Sequence, residues 1–303
     1  MTAVFIILLI LILLLAAIGL ILAAYSMRIR PQTLEQARRW QAEHYDLSWY
    51  DRLEKTDYTV RSFDGYILHA QLLRNPRPSG RYIILSHGYT DNRIGSLKYA
   101  KMYLDLGFQV IVYDLRGHGE NEKTFCTYSV RERKDLCALI TDSRARFPDL
   151  ETLGLHGESL GSASTLAALR YAPPVDFAVA DCGFAEIASV LKDGLRRMHL
   201  PGCLVSLASL GARLLYGVSY RDMRPVDCLK ENRVPVLFIH GEEDDFIPPA
   251  HSLALRQADP GYSELCLIPG ASHAVSVLTS PEEYRGAVTA FLRNIAVLPP
   301  AAS

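Results

Sequence analysis

This 303-residue sequence has almost no net charge, formally -1 at pH 7. It also has no basic stripe interleaved with aromatics, so the electrostatic footprint of a nucleic-acid-binding protein is missing. Metal-ligand spacing is missing as well. Six cysteines (Cys126, Cys137, Cys182, Cys203, Cys228 and Cys266) occur without a CxxC or Cys/His pattern, which argues against a zinc site. Their apolar neighbours suit buried small hydrophobes better than a disulfide framework, and this leans towards a reducing compartment. No internal repeat or low-complexity tract occurs. The glycine turn Arg116-Gly117-His118-Gly119 is not followed by the Lys-Ser/Thr of a phosphate-binding loop.

The amino terminus also lacks a basic residue ahead of its first apolar run. From Ala3 to Ala24 the sequence is uninterrupted apolar, long enough to cross the hydrocarbon core as a helix. A cleaved signal would have a basic n-region and a shorter apolar stretch, so an uncleaved anchor over residues 1–27 is expected. Arg28, Arg30, Arg38 and Arg39 follow directly, and the positive-inside rule then places the body in the cytoplasm. Pro31 stops the helix. Thr33-Leu34-Glu35-Gln36 reads as a capping box opening a short helix within a juxtamembrane segment, residues 28–56. Trp40, Trp49 and Tyr50 fit either the headgroup level or packing on the globular body.

From residue 57 to the end, strands and helices alternate. Residues 57–63 and 66–74 read as a hairpin turning at Asp64-Gly65 with a two-residue turn. Wholly apolar runs then end at Ser86, at Asp114, at His156, at Asp181, at His240 and at Ile268. Between them lie helical patterns over 96–106, 129–147, 159–171 and 281–292, the last capped by Ser280 with Pro281 at its first position. Continuous apolar strands separated by such helices mean an α/β fold, a mostly parallel central sheet covered on both faces. Residues 184–232 are too long for a simple crossover and read as a helical cap insertion over the carboxyl ends of the strands, or else as ordinary packing helices.

Gly157-Glu158-Ser159-Leu160-Gly161 matches Gly-x-Ser-x-Gly, which is weak alone. Its context, a strand before and a helix after, makes it a nucleophile elbow carrying Ser159. Bulkier residues at Gly157 and Gly161 would clash with the adjacent strand and helix. A serine hydroxyl needs a base, and the base needs an orienting carboxylate, in the chain order Ser, acid, His. His273, on the loop after the last strand, is the expected base. Asp244 is the expected acid, with Asp181 and Asp245 as alternatives. The oxyanion donors expected are the backbone N–H groups of Tyr89, in the loop after the first parallel strand, and Leu160. His87, His118, His156 and His240 each sit beside glycine in a turn and are expected to be structural.

The set SHGYTDN, YDLRGHG, GESLG, HGEEDDFIPP and GASHA resembles the α/β-hydrolase superfamily over residues 57–296. Within it the chain is similar to bacterial serine hydrolases with one amino-terminal transmembrane helix, in which a DCGF-like segment precedes a helical insertion. The resemblance implies the α/β-hydrolase fold. It assigns the acid to Asp244, four residues after the strand-ending histidine, and implies ester, or less often amide or thioester, hydrolysis without a cofactor. The expected substrate is a small-molecule or lipid ester. A serine peptidase or acyltransferase would use the same residues, with Glu158 or Glu186 available to bind a substrate amine. A catalytically idle binding protein is the remaining alternative.

Overall fold

The computed structural model describes residues 1–77 and 79–300. It opens with helices α1 (Thr2–Met27), α2 (Leu34–His44) and α3 (Ser48–Arg52), followed by strands β1 (Lys55–Arg61), β2 (Ile67–Leu73) and β3 (Arg81–Ser86). Strand–helix alternation follows: α4 (Leu97–Asp105), β4 (Gln109–Tyr113), α5 (Glu132–Arg146), β5 (Thr152–Glu158), α6 (Leu160–Ala168) and β6 (Phe177–Asp181). The stretch between β6 and β7 (Val236–Gly241) holds α7 (Ile187–Arg197), α8 (Leu204–Tyr216) and two short 3-10 turns. The chain closes with α9 (Ala250–Ala258), β8 (Ser263–Ile268), α10 (Ser276–Thr279) and α11 (Pro281–Asn294).

The strands form one eight-stranded sheet in the order β1-β2-β4-β3-β5-β6-β7-β8. β1, β2 and β4 pair antiparallel, and every pair from β4 to β8 is parallel. This is the α/β-hydrolase architecture that the sequence led us to expect. β3, β4, β6 and β7 are buried along almost their whole length because both sheet faces are covered. Leu136, Leu139 and Ile140 of α5 and Leu166 of α6 pack on one face, whereas Leu97 and Tyr103 of α4 and Tyr284 and Phe291 of α11 pack on the other. The parallel register sets Ser86 beside Tyr113 and Gly157, so the loops leaving β3, β4 and β5 emerge together at the carboxyl edge.

Local details depart from the sequence expectations in four places. The β1–β2 loop is not a two-residue turn. Ser62 and Tyr66 still pair, Gly65 N–H donates to the Ser62 carbonyl, and Gly65 takes φ +85°, giving a three-residue loop with glycine in the left-handed position. α5 starts at Glu132 because Tyr128 and Ser129 adopt positive φ, while the Glu132 carboxylate accepts the N–H groups of Thr127 and Ser129. Ser280 precedes α11 without a side-chain cap bond. Cys203 is exposed, unlike the buried Cys126, Cys182 and Cys228. The Thr33 capping box forms with Gln36, and Tyr50 is buried against the body, its hydroxyl donating to Gln71 at 2.8 Å.

The carboxyl half of α1 docks on α8. Gly19 and Gly211 face each other across the crossing, and a Cβ at Gly19 would lie 2.6 Å from the Leu207 carbonyl oxygen. Ala23 and Met27 join the core beside Ala208 and Ala212, Ser26 and Tyr220 share a hydrogen bond of 2.5 Å, and the Cys126 N–H donates to the Met27 carbonyl at 2.9 Å. Residues 1–17, by contrast, are exposed and, Thr2 apart, apolar.

Candidate active site

Ser159 sits between β5 and α6 with φ +52° and ψ -111°, a conformation that costs free energy and persists only where the surroundings enforce it. The enforcement is visible in the two flanking glycines. A Cβ at Gly157 would run into the Gly161 carbonyl, and one at Gly161 into the Ser86 carbonyl of β3, so strand and helix approach to a distance only glycine allows. The turn sets the Ser159 hydroxyl at the carboxyl edge of the sheet, where open α/β sheets bind ligands, although the residue is only 7% exposed.

Two later loops reach the same point. His273 follows β8, and its Nε2 lies 3.0 Å from Ser159 Oγ. Asp244 follows β7, and its Oδ2 lies 2.6 Å from His273 Nδ1. With Nδ1–H donating to the carboxylate, Nε2 is left to accept the serine proton. The Asp244 carboxylate is further surrounded by donors: the N–H groups of Phe246 and Ile247 reach Oδ1 at 3.0 and 2.9 Å, and His240 Nε2 lies 3.2 Å from Oδ2. Burial alone would raise this carboxyl. The hydrogen bonds from His240, His273 and Ile247, with the His273 charge, outweigh it and hold the group well below the usual carboxylate range.

The two alternative acids lie elsewhere. Asp181 is fully buried behind the elbow, accepting the hydroxyls of Tyr99 and Tyr284 at 2.9 and 3.0 Å. Burial, then the nearby Glu158 carboxylate, pushes its carboxyl up to about 6. Asp245 is exposed and offers its backbone carbonyl to Arg197. Glu158 and Glu186 are both engaged, with Lys98 and Arg224 respectively.

Leu160 opens α6, and Gly88 brings the Tyr89 loop close: a Cβ at Gly88 would lie 3.6 Å from Ser159 Cβ. Among the described residues neither the Tyr89 nor the Leu160 amide donates to another group of the chain. The four other turn histidines are built into the frame. His87 Nε2 accepts from the Leu115 N–H at 2.9 Å, and burial lowers the ring to about 4. His118 is likewise lowered to about 4 by burial, then by His87. His156 lies between Tyr103 and Tyr284, and His240 Nε2 donates to the Ile247 carbonyl at 2.7 Å while Nδ1 faces Ser252 Oγ at 2.7 Å.

Sequence reasoning passed over two residues at this site. Lys98 is buried, ion-pairs with Glu158 and donates to the Ala274 carbonyl at 2.8 Å, so it ties the elbow to the residue after His273. A lysine on an otherwise ordinary helical stretch gave no signal of this. Phe246 sets its ring edge-on to His273, centroids 5.0 Å apart, and half of it is exposed. A cleft of about 390 Å³ lies not over Ser159 but beside α8, lined by Val205, Leu210 and Tyr220 among others.

The prolyl oligopeptidase family model, Peptidase_S9, matches residues 94–296, two thirds of the chain and the whole stretch from α4 to the end of α11. The chain belongs to this family of α/β hydrolases. It is 30% identical over 285 residues to "Uncharacterized protein YqkD" of Bacillus subtilis, covering 92% of this chain and 93% of that protein. It is 28% identical over 203 residues to the mouse alpha/beta hydrolase domain-containing protein 17C, spanning 55% of that longer protein. In fold it is similar to an esterase of Pyrococcus furiosus, with a TM-score of 0.71 at 21% identity, covering 88% of this chain and 98% of that one.

Proposed function

We propose that this hydrolase is a membrane-anchored serine esterase in which Ser159, His273 and Asp244 act as nucleophile, base and acid. The observation that carries the reading is the continuous hydrogen-bond chain from Asp244 through His273 to Ser159. Ser159 Oγ attacks an ester carbonyl as His273 Nε2 takes its proton. The Tyr89 and Leu160 N–H groups receive the developing oxyanion, and Asp244 stabilises the imidazolium. The imidazolium then protonates the leaving alcohol, and water, deprotonated by the same ring, releases the acid. No cofactor is needed for any of these steps.

The substrate in this reading is a small-molecule or lipid ester, with α1 as a single span and the basic residues after it keeping the body in the cytoplasm. The family descriptor favours a second reading, a peptidase on the same residues. The engagement of Glu158 and Glu186 in ion pairs weighs against it, because neither is left to bind a substrate amine. Labelling of the purified chain with a fluorophosphonate, beside Ser159→Ala, tests the reading. Labelling that vanishes in the variant supports it, and an ester and amide panel then separates the two activities. A folded parent that does not label points instead to an idle binding protein.

A further inference from the structure

The exposed apolar side of α1 runs on past the point where the helix meets the body. Residues 2–17 are exposed on every side, sixteen residues, or about 24 Å at about 1.5 Å per residue. The hydrocarbon core is about 30 Å thick. The last exposed aliphatic side chain of α1, at Ile21, marks the edge of that core on the side of the body. Ile21 is itself 66% exposed on the side of α1 away from the body. One turn further on, Tyr25 is exposed with the Arg30 guanidinium 5.2 Å from its ring centroid, an aromatic–basic pair of the kind found at the membrane–water interface.

At the level of Gly19, however, α1 is not alone, because its inner side is packed on Leu207 and Gly211 of α8. A bilayer reaching Ile21 therefore meets α8 as well. That helix is built for it. Val205, Ala208 and Ala212 face the body, whereas Leu210, Leu214 and Leu215 are 58%, 69% and 48% exposed. The turn before α8 adds exposed Met198 and Leu200. Such a cluster is costly in water and continuous with the apolar surface of α1. The charges nearby, Arg213 on α8, Arg221 beside Leu210 and Arg196 and Arg197 at the end of α7, are all arginines, whose stems are long enough to carry the guanidinium to the headgroups.

We propose that α8 is a lipid-contacting helix, sunk beside α1 in the near leaflet, so that the segment between β6 and β7 is seated on the hydrocarbon. The proposal rests on α1 being a membrane span. Bromine quenching in reconstituted vesicles separates the two. In the full chain carrying Trp40→Phe and Trp49→Phe, which removes both native tryptophans, one tryptophan is introduced at a time: Leu210→Trp on α8, Ile10→Trp on α1, and Glu283→Trp on the exposed side of α11. The vesicles are phosphatidylcholine with or without bromine on the acyl chains, and cooperative melting certifies each variant as folded.

Leu210→Trp is expected to lose emission to the brominated chains as Ile10→Trp does, while Glu283→Trp keeps its emission. If Ile10→Trp is quenched and Leu210→Trp is not, α1 spans the bilayer and the lipid-contacting role of α8 is wrong. If neither is quenched, the anchor reading itself falls and the α8 proposal falls with it.

Discussion

Replacing Lys98 with methionine leaves the Glu158 carboxylate buried, one residue before Ser159, without its counter-ion. The ammonium and carboxylate are each about 95% shielded, their side chains 5% and 6% exposed. Burial by itself would lower the Lys98 pKa, but the Glu158 carboxylate overrides it and the group is raised, so the pair is held ionised. Breaking such a pair by removing one partner typically costs about 3–5 kcal/mol. Proton uptake bounds the loss from above. A free glutamate titrates near about 4.3, so placing a proton on Glu158 at pH 7 costs about 3.7 kcal/mol, at about 1.36 kcal/mol per pH unit.

Lys98→Met should therefore lose about 3–4 kcal/mol at pH 7, or roughly 6–16 °C in melting temperature for a chain of this size. In the variant the folded state holds a proton that the unfolded chain releases above about 4.3, so stability falls as pH rises. At pH 5.5 the loss should shrink to about 1.6 kcal/mol. Adding Glu158→Gln removes the unpaired charge and should restore most of the stability, independent of pH, with Tyr99 still able to donate to the amide oxygen. It cannot restore the Lys98 bond to the Ala274 carbonyl. The double variant should then melt near the parent but label with fluorophosphonate more slowly. Thermal melts at pH 5.5 and 7, with labelling rates, read all of this out. A single variant that melts with the parent at both pH values refutes the argument about the pair. Full labelling by the double variant refutes the positioning of the His273 loop.

The remaining predictions are shorter. Asp244→Asn should slow fluorophosphonate labelling by about 10⁴, the loss seen when a triad acid is neutralised, whereas Asp181→Asn should leave measurable labelling; equal losses would void the assignment. His156 is held neutral, lowered to about 3 by burial and then by Lys98, while the unfolded chain takes up that proton near about 6.5. Its contribution is complete above about pH 6.5 and is lost as pH falls towards 3. His156→Gln should therefore flatten the loss of stability between pH 7 and 5 by about 2 kcal/mol, and parallel pH profiles would count against it. Gly19→Leu places a side chain against the Leu207 carbonyl and should open the α1–α8 contact. Proteolysis within 198–203 should quicken, and an unchanged digestion pattern would contradict the packing.

The fold was legible because its signals are local. Six apolar runs, each ending in a glycine-, histidine- or aspartate-bearing turn, became β3 to β8 in the parallel part of the sheet, and the elbow glycines lie where strand and helix leave no room for a Cβ. The places that slipped depend on short-range bonds between side chains and backbone, and on backbone conformation, which apolar periodicity does not encode. The start of α5 moved to Glu132 because that carboxylate folds back on Thr127 and Ser129, and the β1–β2 loop lengthened by one residue to seat Gly65 at positive φ. Helical periodicity shows neither.

Asp181 and Asp244 make the same point at the site. Each aspartate lies at or just beyond the end of a parallel strand, β6 beside the elbow strand and β7 one strand further, and the spacing of residues permits both. What separates them is the company that the tertiary fold provides. Tyr99 and Tyr284, 185 positions apart in the sequence, close over Asp181 and put two hydroxyls where an imidazole would have to enter. The β7 loop leaves Asp244 with one oxygen on the Phe246 and Ile247 amides and the other turned to His273. A carboxylate tied on one oxygen by two backbone amides cannot rotate freely, so the other oxygen keeps a fixed direction. Orienting an imidazole requires that more than it requires a particular pKa.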